Sequence, residues 1–223
     1  YYAGLGYELK GETVPSTPNN LHLTLREPYG TVGRIIPFNH PILFATGHTA
    51  GALMAGNSVV VKPPETASLS ALLLAEIAQQ ALPPGVFNIV TGLGPQVGAA
   101  LAVHPQVKRI AFIGSARTGM AIQRMAAEVA VKNITLELGG KNPMIVFPDV
   151  NVSDIVTAAI QGMNFTWQGQ SCGSTSRLLL HESIYNEVVS QLAERIEPPA
   201  GASTMLTLSS KVALPRVGPT AIW

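Results

Sequence analysis

The chain has 223 residues and a formal net charge of +1, and only 12% of its residues are charged, against about 25% in ordinary soluble domains. That balance gives no electrostatic case for a nucleic-acid partner or an anionic membrane surface, and so little charge points to a surface lent to other subunits or to a chain that belongs to something larger. The single cysteine, Cys172, excludes an internal disulfide and fits a reducing compartment.

The first ten residues have neither the basic start nor the apolar core of a secretory leader, so a cytoplasmic protein is expected. Residues 10–28 are polar and turn-rich, then alternate in Leu21, Leu23 and Leu25, the pattern of a hairpin projecting from a domain. Residues 42–61 are the most apolar stretch. His48, Asn57, Ser58, two threonines and three glycines make it a buried helix running into a strand, not a membrane span.

From Gly56 onward short apolar runs alternate with helical patterns. Strands are expected at 58–62, 87–91, 109–113 and 133–138, with helices at 67–81, 96–103 and 118–130. Continuous β-branched runs separated by helices point to parallel strands covered on both faces. The fold class is therefore α/β, a doubly wound Rossmann-like parallel sheet whose ligand sits at the strands' C-terminal ends. Strand character restarts at 143–147, followed by a helix at 152–164, a strand at 177–181 and a helix at 183–196 with Ser183 as N-cap. From Pro198 the pattern stops.

Chemistry-bearing residues fall at the expected strand ends. Phe112-Ile-Gly-Ser-Ala-Arg-Thr-Gly119 follows a strand and opens a helix, where backbone amides and the helix dipole can approach a phosphate; any tight strand-to-helix turn could also contain it. Gly92-x-Gly94-x-x-x-Gly98 is a looser version interrupted by Pro95. In Lys62-Pro-Pro-Glu65 a carboxylate can accept both hydroxyls of a ribose, with a lysine beside it; the alternative is a solvated strand exit. Glu137, opening Glu-Leu-Gly-Gly-Lys141, is placed to act as a general base. Asn39, between Pro37 and Pro41, is either a stiffly held oxyanion donor or a helix cap. Cys172 lies in Gly-Gln-Ser-Cys-Gly-Ser-Thr-Ser-Arg (169–177), small polar surroundings that give a thiol access and suit a nucleophile better than a core residue.

Together these segments resemble the aldehyde dehydrogenase superfamily. Its Pro-Trp-Asn-x-Pro corresponds to Pro37-Phe38-Asn39-His40-Pro41, its Lys-Pro-x-Glu to 62–65, and its Phe-Thr-Gly-Ser to Phe112-Ile113-Gly114-Ser115. Glu-Leu-Gly-Gly-Lys stands intact at 137–141 and Gly-Gln-x-Cys at 169–172. The resemblance implies that Cys172 attacks an aldehyde carbonyl, that Asn39 and the Cys172 N–H hold the oxyanion, and that Glu137 activates the water that hydrolyses the thioester. It implies NAD as cofactor, with Lys62 and Glu65 at the adenosine ribose and Gly114, Ser115 and Gly119 at the diphosphate turn. Ile36, Pro37, Gly94, Gly98, Phe112 and Leu138 complete the cofactor-binding set. Glu65 favours NAD over NADP, Glu137 favours a free acid as product, and no metal is implied.

On the same basis residues 1–9 and 29–139 form the NAD-binding domain, 10–28 an oligomerisation hairpin, 140–197 part of a catalytic domain and 198–223 an atypical tail. The family's downstream Glu-x-Phe-Gly-Pro is absent, so a partial chain is expected, its full-length form a homodimer or homotetramer. Two other readings remain open at this point: a cysteine hydrolase using Cys172, Glu137 and Lys141, and a truncated product that binds a nucleotide without turnover.

Overall fold

Five parallel strands organise the first of two compact units, residues 1–139, while the second begins at Gly140. The structure, a computed structural model, describes residues 1–196; the tail expected over 198–223 lies outside the described residues.

The first unit opens with a 3-10 segment, Tyr2–Glu8, and a small hairpin in which β1 (Thr13–Val14) pairs antiparallel with β2 (His22–Leu23). The sheet then begins with β3 (Thr31–Ile35). Two short helices, α1 (Pro41–Thr46) and α2 (Thr49–Met54), lead to β4 (Ser58–Lys62). The sequence reads as one helix here, and the structure breaks it at Gly47 and His48. There follow α3 (Leu69–Gln79), β5 (Phe87–Ile89), a π-type turn at Gly94–Gly98, α4 (Ala99–Val103), β6 (Val107–Ile113), α5 (Ala116–Ala127) and β7 (Asn133–Glu137). The strand order is β5-β4-β3-β6-β7, and every pair is parallel.

Helices cover both faces because the strands are apolar on both. On one face Val32, Val59 and Val61 pack with Ala45 of α1 and Ala71 of α3. On the other, Ile35, Ile110 and Phe112 pack with Ala102 of α4 and Ile122 of α5. Small alanines on the helices let the branched strand side chains fill the space between layers. Each fully buried valine or isoleucine contributes about 1.5–3 kcal/mol. This is the doubly wound α/β arrangement that the alternating pattern implies.

The second unit pairs β8 (Pro143–Val146) parallel with β9 (Arg177–Leu180), joined through α6 (Val152–Gly162) and followed by α7 (Glu182–Ile196). Its core gathers Val146, Val156, Leu178, Leu180, Ile184 and Val188. Asn151 caps α6, its Oδ1 accepting from the Ser153 and Asp154 amides at 2.9 and 3.3 Å. Ser183 is not the N-cap of α7. The helix starts one residue earlier, and the Ser183 amide donates to the Nδ1 of His181 at 3.3 Å. Among the described residues no helix is long and apolar enough to cross a membrane.

Candidate active site

The winding of the sheet reverses between β3 and β6: the chain runs outward from β3 through β4 to β5, then returns to β6 on the other side of β3. In open parallel sheets ligands bind outside the carboxyl ends of the strands at such a point. Ile36, Pro37 and Asn39 leave β3 there, and Gly114 and Ser115 leave β6 there. Lys62 and Glu65 lie at the exit of the neighbouring β4, Gly94 and Gly98 bound the turn after β5, and Glu137 and Leu138 end β7. The residues singled out in the first unit thus share one edge of one sheet.

At the β4 exit, Lys62 is buried and its Nζ donates to Glu65 Oε1 at 2.8 Å. The Gly94 amide donates to the same oxygen at 2.6 Å, so Glu65 joins the β4 exit to the turn after β5. Hydrogen bonding from Lys62 is the largest cause that holds the Glu65 carboxyl below its ordinary value; its own amide and that of Gly94 add to it, against a smaller desolvation cost. The Glu65 side chain is 41% exposed, so solvent screens the pair. Because the folded pKa is depressed, the stabilisation is full above the ordinary carboxylate value and fades as pH falls through the folded one. Thermal unfolding of Glu65→Gln and the parent should therefore differ at neutral pH and converge below about pH 4. An equal gap at pH 3 and pH 7 would contradict this linkage.

At the β6 exit, the Gly114 amide donates to the Glu137 carbonyl at 2.9 Å. A Cβ on Gly114 would lie 2.5 Å from Cζ of the Phe112 ring, so only glycine lets the turn fold back over that ring. Ser115 caps α5, its Oγ accepting from the Thr118 amide at 3.3 Å. The first turn of α5 carries no acidic residue, and its amides offer a partial positive charge to an anion. Gly119, one turn further on, is where α5 meets Leu136 and Leu138 at the exit of β7.

Asn39 is half-buried and Glu137 is exposed. The N-cap position of α1 is His40 rather than Asn39, with Pro41 in the first turn. The His40 ring stands edge-on to Phe44 with 5.8 Å between centroids. Glu137 is the last residue of β7 and pairs with Ile113.

Cys172 belongs to the second unit, half-buried, on a turn in which the Ser174 amide donates to the Ser171 carbonyl at 3.1 Å. The Gly173 amide donates to Ser171 Oγ at 3.2 Å. Asn142 Nδ2 donates to the Cys172 carbonyl at 2.7 Å and to the Ser174 carbonyl at 3.2 Å. Ser174, itself buried, donates from Oγ to the Met163 carbonyl at 3.0 Å. Gly140 runs so close to the Cys172 carbonyl that a side chain there would overlap it. Asn164 and Gln168, both at positive φ, bracket the 3-10 turn Phe165–Trp167 that leads into this loop. The arrangement presents a thiol on a fixed polar turn, the setting a nucleophile needs.

Asn142 escapes the sequence reading. Its signal was an amide side chain one residue beyond the Glu-Leu-Gly-Gly-Lys run, with nothing in the sequence to name its acceptors. Among the described residues no three His, Cys, Asp or Glu side chains gather closely enough to hold a metal ion.

The sheet and its switch-point edge define a Rossmann-like α/β protein. The family model for the aldehyde dehydrogenase family matches residues 1–204, and the chain belongs to that family. It is 46% identical to aldehyde dehydrogenase tropH of Talaromyces stipitatus, an alignment covering 97% of this chain and 44% of that protein. The NAD+ complex of an aldehyde dehydrogenase from Bacillus cereus superposes with a TM-score of 0.83 at 38% identity, over 88% of this chain and 40% of that one. An NADP-dependent enzyme of E. coli superposes with a TM-score of 0.82 at 33% identity, over 87% and 40%. The chain thus spans less than half the length of these relatives.

Proposed function

We propose that this chain carries the cofactor-binding and nucleophile-bearing parts of an enzyme that oxidises an aldehyde to a carboxylic acid with NAD. The observation that supports it most is the common edge of Ile36–Asn39, Lys62–Glu65, Gly114–Ser115 and Glu137 at the switch point of the sheet, joined in one sequence with a cysteine on a hydrogen-bonded turn.

The first unit fits a dinucleotide. The Gly114 turn folds back over the Phe112 ring, with which a Cβ would collide; Ser115 and the amides of α5 suit a diphosphate, and Lys62 and Glu65 suit a ribose. Gly94, Gly98, Ile36, Pro37 and Leu138 belong to the same edge, while Phe112 supports the Gly114 turn from the core and Gly119 packs α5 against Leu136 and Leu138. NAD, when bound, supplies the acceptor for hydride from the substrate carbon. Cys172 as thiolate adds to the aldehyde carbonyl, and the Asn39 amide and the Cys172 N–H donate hydrogen bonds to the oxygen as it gains negative charge. Loss of hydride from that carbon leaves a thioester on Cys172. Glu137 takes a proton from water, whose oxygen attacks the thioester and releases the acid.

Cofactor choice rests on Glu65, because NAD and NADP enzymes alike share this fold. The carboxylate, kept ionised by Lys62 and Gly94, repels a 2′-phosphate. Calorimetric titration should give NAD at least about tenfold tighter binding than NADP, a difference of about 1.4 kcal/mol, and Glu65→Gln should narrow that gap. Equal affinities in the parent chain would refute the assignment.

Two further readings belong with this one. The hairpin segment, residues 10–28, carries Leu21 at 73% and Leu25 at 74% exposure, apolar surface that suits pairing between subunits of a homodimer or homotetramer. One cysteine in 223 residues suits the cytoplasm.

A further inference from the structure

We infer that Asn142 is a positioning residue for the nucleophile, holding the Cys172 turn through its side-chain amide. The inference rests on Cys172 being the attacking group.

One NH2 group reaches two carbonyls of the same turn, Cys172 at 2.7 Å and Ser174 at 3.2 Å. Both acceptors are carbonyls, so only a donor serves at this position. A neutral amide supplies two N–H groups and brings no charge near a thiolate. Backbone contacts reinforce the grip. Gly140 packs against the Cys172 carbonyl, the Arg177 amide donates to the Asn142 carbonyl at 3.3 Å, and Arg177 Nε donates to the Lys141 carbonyl at 2.7 Å. Asn142 is therefore anchored by the start of β9 while its side chain fixes the turn. From the other side, Ser174 Oγ holds the turn to the Met163 carbonyl at the end of α6.

Fixing the Cys172 carbonyl fixes the peptide plane that follows the nucleophile and limits the ψ that Cys172 can adopt. Sγ and the Cys172 N–H, the two groups proposed to meet the carbonyl carbon and its oxygen, project from the stretch of backbone that these contacts hold in place. A displacement of about 1 Å in such a constellation costs about 10²-fold in rate. Asn142→Asp would turn a carboxylate oxygen toward two carbonyl oxygens and should open the turn, whereas Asn142→Ser keeps one short donor.

Cys172 is the only cysteine, so iodoacetamide reports on this turn alone. With the full chain held below its thermal transition, Asn142→Ala should be alkylated severalfold faster than the parent, with Asn142→Ser between them. Thr175→Val is the control: the Thr175 hydroxyl oxygen is buried with no hydrogen-bond partner among the described residues, and its removal should leave the rate unchanged. Alkylation of both Asn142 variants at the parent rate would overturn the inference. So would an equal rise in Thr175→Val, which would mark a general loosening of the loop. If Asn142→Ala fails to fold, Asn142→Ser against the parent decides. In turnover, Asn142→Ala should lower kcat by about 10²-fold with little change in KM. Aldehyde oxidation that survives Cys172→Ala would sink the proposed chemistry, whereas an inactive Cys172→Ala beside Asn142 variants that behave like the parent would sink the positioning role alone.

Discussion

Replacing Cys172 with alanine should abolish aldehyde-dependent formation of NADH, a loss of at least about 10⁴-fold, in any protein that carries these residues. Binding of NAD should survive, because the residues proposed to hold it lie in the first unit. No second thiol can substitute, since the chain has one cysteine. The two readouts together separate the readings. Lost oxidation with retained NAD binding supports a covalent dehydrogenase. Thioester cleavage that proceeds without NAD would instead favour a cysteine hydrolase.

Glu137→Gln should lower steady-state turnover by about 10²–10⁴-fold while leaving a first burst of NADH formation. Glutamine keeps the size of the side chain at the end of β7 but cannot take a proton from water. Attack by Cys172 and loss of hydride need no base at Glu137, so they should proceed once per site. Hydrolysis of the thioester should then stall. Stopped-flow absorbance at 340 nm reads both phases, and normal steady-state turnover in this variant would remove Glu137 from the mechanism.

The periodic parts of the fold were legible. Ser58–Lys62 carries three consecutive valines and forms β4 at the expected bounds, and the helices at 69–79, 116–127 and 152–162 begin and end within about three residues of where apolar spacing puts them. The central strand β3 was not legible. Its sequence, Thr-Val-Gly-Arg-Ile, holds a glycine and an arginine where a buried strand should be continuously apolar. Tertiary packing explains both. A Cβ on Gly33 would lie 3.1 Å from Val107, and Arg34, only 4% exposed, donates from Nη2 to the Phe44 carbonyl at 3.2 Å. Burial, with Arg109 as a second cause, lowers the Arg34 pKa to about 10. Such compensation is invisible to local pattern.

The same limit applies to the site. Strand-end motifs announced Lys62, Glu65, Gly114 and Ser115 because each sits where a strand pattern stops. That Glu65 is bound by the Gly94 amide across the sheet edge could not be read from the loose glycine spacing at 92–98, and the grip of Asn142 on the Cys172 turn depends on two segments 30 positions apart.

Covalent catalysis at Cys172 is tested most directly by intact-protein and peptide mass spectrometry of Glu137→Gln after reaction with NAD and, in turn, propanal and benzaldehyde. The proposed mechanism requires a mass gain equal to the acyl group of the aldehyde, located on the peptide containing Cys172 and absent without NAD. NADH formation with no acyl adduct, or an adduct on another residue, would contradict it.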